Sequence, residues 1–187
     1  MTNDGILICP QKQHLESYAT ALARGFSPNT LRPEETVEEL KRLREDPELL
    51  LASMDDLNAE GPPIILPDGR KVDRLPSIRR FIWDGEFCGI ISLRWPKDGG
   101  PLPDHVPGHV GYAVVPWRWG KGLATRALAE LLALAPSYGL AAVEVSCSPD
   151  NPASIRVIEK NGGILTGQSE NGALFHKHPA LQYRITL

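Results

Sequence analysis

The residues best suited to chemistry run from Val114 to Thr125, Val-Val-Pro-Trp-Arg-Trp-Gly-Lys-Gly-Leu-Ala-Thr, with a strand-like apolar run before them and a helical apolar period after them. A strand that passes through a glycine turn into a helix N-terminus makes an anion cradle. Gly120 and Gly122 let the backbone approach a ligand with no Cβ in between, and the first-turn N–H groups lack intrahelical partners and carry the positive end of the helix dipole. A pyrophosphate is the natural guest, and Lys121 offers it a further charge. Neither GxxxxGK[ST] nor GxGxxG fits, the second because Thr125 stands where its last glycine belongs, so the ATP and NAD loops of those kinds are excluded. The competing reading is a plain glycine-rich strand-to-helix turn that binds nothing.

A second constellation lies downstream in Asp150-Asn-Pro-Ala-Ser154-Ile-Arg-Val-Ile158-Glu-Lys-Asn-Gly-Gly163. Asn151 before Pro152 reads as a helix cap and Ser154 as a first-turn residue. The two segments, in this order and spacing, resemble the acyl-CoA signature Q/R-x-x-G-x-G/A and the N-x-x-S-x-x-v-l-e-k-x-G helix of the GNAT superfamily of N-acetyltransferases. Gly122 and Ala124 match the first motif, and Trp119, with Arg118 beside it, stands where Gln or Arg is usual. Gly108-His-Val-Gly-Tyr112 before the loop looks closest to a branch similar to ribosomal-protein N-terminal acetyltransferases. The likeness covers Ser77 to Leu187.

That resemblance implies the acyl-CoA N-acyltransferase fold, acetyl-CoA as co-substrate, and acetyl transfer to a primary amine of a small molecule or peptide whose identity the sequence does not name. It implies that Tyr112, Ala113 and Val114 splay from the next strand, so that their free backbone groups pair with pantetheine and polarise the thioester carbonyl. The phosphates would fall to Trp119, Gly120, Lys121, Gly122, Leu123, Ala124 and Thr125, and Asn151 would hold the pantetheine or a bridging water. Ser154 resembles the serine that ribosomal-type relatives place near the sulfur.

Acetyl transfer also needs a base for the incoming amine and a proton for the departing thiolate. His109 occupies the strand position where many relatives carry Glu, and an imidazole suits proton removal near neutral pH; a histidine satisfied by loop backbone explains it equally well. Glu144 is the second candidate and a water chain the third. The tyrosine acid of many relatives is replaced by Ile158, which leaves Ser154 as the thiolate's donor and keeps a non-catalytic acyl-CoA binding module as the alternative. Arg94 and Trp95 end a strand near the presumed cleft, where they meet substrate or form a half-buried pair. His176 and His178 lack a third ligand, so no metal is expected.

The elements that must position these groups follow from the patterning. Leu15 to Leu22 and Val37, Leu40 and Leu43 give two early helical stripes, and Asp46-Pro47-Glu48 restarts a helix. Glu60 to Pro76, with Pro62, Pro63, Pro67 and Pro76, reads as a surface loop. Ser77–Trp83 and Phe87–Trp95 flank Asp84-Gly85-Glu86 as a hairpin, and His109–Val115, Ala141–Ser148, Ile164 onwards and Leu181–Leu187 supply further strands. With Ile6–Cys9 this gives an α/β (α+β) fold, a mixed, mostly antiparallel sheet of about seven strands flanked by helices, in one domain over residues 1–187. A net charge of −3 selects against a nucleic-acid backbone or anionic membrane as partner, and Cys9, Cys88 and Cys147 form neither a CxxC pair nor a disulfide framework, which points to a reducing cytoplasm. A homodimer is left open.

Overall fold

The computed structural model describes residues 5–29, 33, 35–66, 68–169 and 179–187. Strand β1 (Leu7–Ile8) leads to helix α1 (Leu15–Ala23), whose Leu15, Tyr18, Ala21 and Leu22 recur at helical spacing and are buried. Helix α2 (Glu35–Glu45) follows, then α3 (Pro47–Ala52), which Asp46 caps by accepting the Leu49 N–H. Strand β2 (Asp55–Asp56) precedes the proline-rich stretch, whose described residues hold the short strands β3 (Ile64–Ile65) and β4 (Lys71–Val72). The hairpin is β5 (Ser77–Trp83) and β6 (Phe87–Arg94). Then come β7 (Val110–Val114), α4 (Leu123–Leu134), β8 (Ala142–Cys147), α5 (Pro152–Lys160), β9 (Ile164–Ser169) and β10 (Ala180–Thr186).

The six longer strands β5 to β10, with the short edge strand β1, match the expected number, yet they divide into two sheets. One runs β1-β5-β6-β7 with β2 on β5, and the other runs β8-β10-β9. All pairings within them are antiparallel. Strands β7 and β8, joined through α4, are the facing edges of the two sheets, and no ladder links them. They meet at one point: the His109 N–H donates to the Glu144 carbonyl at 2.7 Å, and the Glu144 N–H donates to His109 Nδ1 at 3.0 Å.

Two apolar cores cover the sheets unequally. The first gathers Leu123, Ala127, Leu128 and Leu131 of α4 and Ile158 of α5 against Ile91, Leu93, Val143, Val145, Tyr183 and Ile185, so it spans both sheets on one face. The second, with Tyr18, Leu22, Phe26, Phe81, Phe87, Ile90 and Val115, lies under α1 and α3 and reaches the first sheet alone. The sheets are therefore bound together on the α4 face, while the α1 face of the second sheet receives no part of that core.

One sequence expectation fails in α2. Val37 is 76% exposed, and Glu39 turns inward in its place, accepting from the Tyr18 hydroxyl at 2.8 Å and from Arg79 Nη1 at 3.2 Å. Leu40 and Leu43 do pack on the second core. The helix presents Glu39 rather than Val37 to the sheet because Arg79 rises beneath it and, with the Tyr18 hydroxyl, supplies the partners that a buried carboxylate must have.

Close approach at the meeting point has a steric requirement. A Cβ on Gly108 would lie 2.8 Å from the Glu144 carbonyl oxygen and 3.3 Å from Val145 Cα. We expect Gly108→Ala to lower unfolding stability by about 1–3 kcal/mol through overpacking, read as a reduced urea midpoint. An unshifted midpoint would show that the two strands separate freely at this point.

Candidate active site

The cradle forms as the residue types require. Gly120 (φ 77°) and Gly122 (φ 72°) are both left-handed, a conformation that costs other residues about 1–3 kcal/mol. The first bond inside α4 is Arg126 N–H to the Gly122 carbonyl at 3.1 Å, so the N–H groups of Leu123, Ala124 and Thr125 leave the helix end without intrahelical partners. Lys121 is exposed beside them. The loop is held from both sides. Arg118 pairs with Glu86 and lies 3.7 Å from Asp84 in the hairpin turn, while Trp119 Nε1 donates to the Val114 carbonyl at 2.7 Å. Trp119 thus braces the loop against the end of β7; its ring is 68% exposed. These backbone donors and the unpaired edge beside them fit a pyrophosphate with an extended pantetheine arm.

Across the open edges, Tyr112 on β7 reaches α5. Its hydroxyl lies 2.7 Å from Ser154 Oγ, and burial pushes its pKa up to about 12, so it carries its proton at any working pH. Burial also pushes the Cys147 thiol up, with the Ser154 hydroxyl pulling against that effect. Asn151 Oδ1 caps α5 by accepting the Ser154 N–H at 3.0 Å, which fixes the serine at the first turn. Sequence reading assigned Tyr112 only its backbone. The alternation that places it with Val110 and Val114 was visible, but its meeting with Ser154 needed the fold.

His109 has a different place from the one expected of a base. It is 7% exposed, and because Nδ1 accepts the Glu144 N–H, the neutral ring carries its proton on Nε2. Neither nitrogen then has a free lone pair to take a proton. Burial, partly opposed by the Glu144 carboxylate, holds its pKa below the ordinary histidine value. Glu144 turns its own side chain outward, about half exposed and 3.8 Å from Arg184, at a shallow cleft with Thr166, Gly167, Gln168 and Gln182. Among the described residues no group of three or more His, Cys, Asp or Glu side chains is placed to hold a metal, and His176 and His178 lie outside the described residues.

A strand–glycine turn–helix cradle beside two parted edge strands suits a phosphate-bearing acyl carrier such as acyl-CoA. The chain belongs to the GNAT acetyltransferase family: residues 69–164 match the family model of the acetyltransferase (GNAT) domain. It is 32% identical over 138 residues to an L-2,4-diaminobutyric acid acetyltransferase of Nocardia farcinica, a match covering 65% of this chain and 71% of that protein. The ribosomal L7/L12 α-N-protein acetyltransferase RimL, solved with coenzyme A, shares the fold with a TM-score of 0.60 and 16% identity over 97% of this chain and 93% of that one. The microcin C7 self-immunity acetyltransferase MccE, solved with acetyl-CoA and AMP, does so with a TM-score of 0.55 and 13% identity over 99% and 94%. The protein is an N-acetyltransferase that uses acetyl-CoA. No described helix is long and apolar enough to cross a membrane.

The His109 geometry has a pH signature. The folded pKa is lowered, so the unfolded chain takes up a proton near pH 6.5 that the folded ring resists; this contribution is intact above that pH and is lost as pH falls toward the depressed folded value. In His109→Asn the amide oxygen replaces Nδ1 as acceptor. We expect its urea midpoint to fall less than wild type between pH 7.5 and 5; parallel curves would mean that the ring protonates without cost to the join.

Proposed function

We propose that this enzyme acetylates a primary amine carried by a small molecule or a peptide, and that the Tyr112–Ser154 pair supplies the proton for the departing thiolate. The 2.7 Å contact between the two hydroxyls supports this reading, because Ile158 cannot donate a proton and a hydroxyl pair can. Acetyl-CoA brings an activated acyl thioester. The first-turn N–H groups of Leu123, Ala124 and Thr125 hold its phosphates, with Gly120 and Gly122 clearing the approach and Lys121 adding charge. The open edge of β7 at Tyr112, Ala113 and Val114 aligns the arm and offers N–H groups to the thioester oxygen as negative charge develops.

We assign proton removal from the incoming ammonium to Glu144, directly or through water, since His109 accepts at Nδ1 and carries its own proton on Nε2, which makes it a positioning residue. The half-exposed carboxylate of Glu144, at the join of the two sheets, supports this. Three free thiols, Cys9, Cys88 and Cys147, support a reducing cytoplasm as the compartment.

Two expectations follow. Tyr112→Phe and Ser154→Ala are each expected to lower kcat about 100-fold with little change in KM for acetyl-CoA. Full kcat in folded variants would leave thiolate protonation to solvent. Gly122→Val forces a β-branched residue into a left-handed conformation and puts its side chain before the helix end. Its Kd for acetyl-CoA, measured by calorimetry, should rise at least about tenfold; an unaltered value would remove the glycine turn from the site.

A further inference from the structure

Alternation along β6 sends Ile91 and Leu93 into the α4 core and leaves Ser92 and Arg94 on the opposite face, the one not closed across the second sheet. There the Arg94 guanidinium lies over Gly111 of β7: a Cβ on that glycine would be 3.1 Å from Arg94 Nη2 and 3.5 Å from Ser92 Oγ. Among the described residues its side chain makes one hydrogen bond, a long one of 3.5 Å to Ser92 Oγ, and no ion pair. The carboxylates around it are committed. Glu39 accepts from Tyr18 and Arg79, Asp55 binds Arg80 at 2.5 Å, and Glu144 faces Arg184. Burial and the neighbouring Arg79 lower its pKa from the usual arginine value, with no acid raising it in return.

A partly buried guanidinium without a counter-ion is costly unless a ligand supplies one. Its planar fork matches a carboxylate through two parallel hydrogen bonds. From this juxtaposition of Arg94, Ser92 and Gly111 on the acceptor face, we propose that Arg94 binds a carboxylate of the acceptor, so that the enzyme's substrate is an amino acid rather than a plain amine or a peptide N-terminus.

The inference rests on the acetyltransferase reading and sharpens it. Gly111 precedes the proposed thioester segment Tyr112–Val114 by one to three residues, about 3–10 Å along a strand. A carboxylate on Arg94 and an amine at the thioester therefore fit within one small molecule. A peptide that presents its N-terminal amine carries its free main-chain carboxylate at the far end.

The test pairs carboxylated acceptors with their decarboxylated counterparts, 2,4-diaminobutyrate with 1,3-diaminopropane and each standard amino acid with its amine, using thiol release from acetyl-CoA by the full chain. A tripeptide with an amidated C-terminus completes the panel. Wild type should prefer the carboxylated member of its best pair by about 100-fold in kcat/KM. Arg94→Met should collapse that preference to within a few fold through the acceptor's KM, and Arg94→Lys, which keeps the charge and loses the fork, should fall between them. Equal use of both members, or best use of the amidated peptide, overturns the carboxylate site and leaves the acetyltransferase reading intact. Calorimetry on the CoA-saturated protein separates the opposite case. If no amine is turned over but carboxylated acceptors bind and Arg94→Met abolishes it, the amine-transfer reading fails and the carboxylate site stands; no carboxylate-dependent binding in wild type overturns both.

Discussion

Two hydrogen bonds between His109 and the backbone of Glu144 join the edges of two sheets that share no ladder. A continuous pairing of β7 with β8 would satisfy more backbone groups, but it would also close the free edge of β7. The imidazole takes the place of further pairing. As an acceptor at Nδ1 it satisfies a β8 amide that a longer β7 would otherwise serve, and Gly108 lets the strands approach closely enough for that bond to form. The neutral ring is thus a structural requirement, since a second ring proton would face the Glu144 N–H directly.

The unequal cores then give the opening its two sides. On the α4 face, one continuous apolar cluster fixes the angle between the sheets and sets the end of α4 beside the parted edges. On the α1 face, the second core stops at the first sheet, and polar groups line the ground beyond it: Arg94 and Ser92 on β6, Glu144 on β8. Even the N-terminal strand is tied to this frame, because Glu130 of α4 accepts the N–H groups of Ile6 and Leu7 at 2.9–3.0 Å.

Local signals carried much of this in the sequence. The glycine turn before an apolar helical period, the Asn-Pro cap of α5 and the Asp-Gly hairpin turn each depend on residues within a few positions, and each forms where expected. What periodicity could not disclose were meetings between distant residues. Val37 looks apolar and inward until Arg79, 42 positions later, demands Glu39 instead. His109 has the side chain of a base, and only its contact with Glu144, 35 residues on, shows its lone pair already spent. Arg94 reads as an ordinary strand end until its surroundings prove to hold no carboxylate for it among the described residues.

Ile158 stands where the family resemblance implies a tyrosine, and the paired hydroxyls of this region lie instead on Tyr112 and Ser154. Ile158 is fully buried in the core under α4 and α5, where a phenol would need a partner that this apolar cluster does not offer. Tyr112 approaches from the other wall, and its hydroxyl finds Ser154, itself fixed by the Asn151 cap. A strand side chain is a stiffer mount than a helix end, since β7 is paired to β6 along its length. The packing of α5 and the Tyr112–Ser154 contact are consequently compatible, and the apolar residue at position 158 strengthens the core without disturbing that contact.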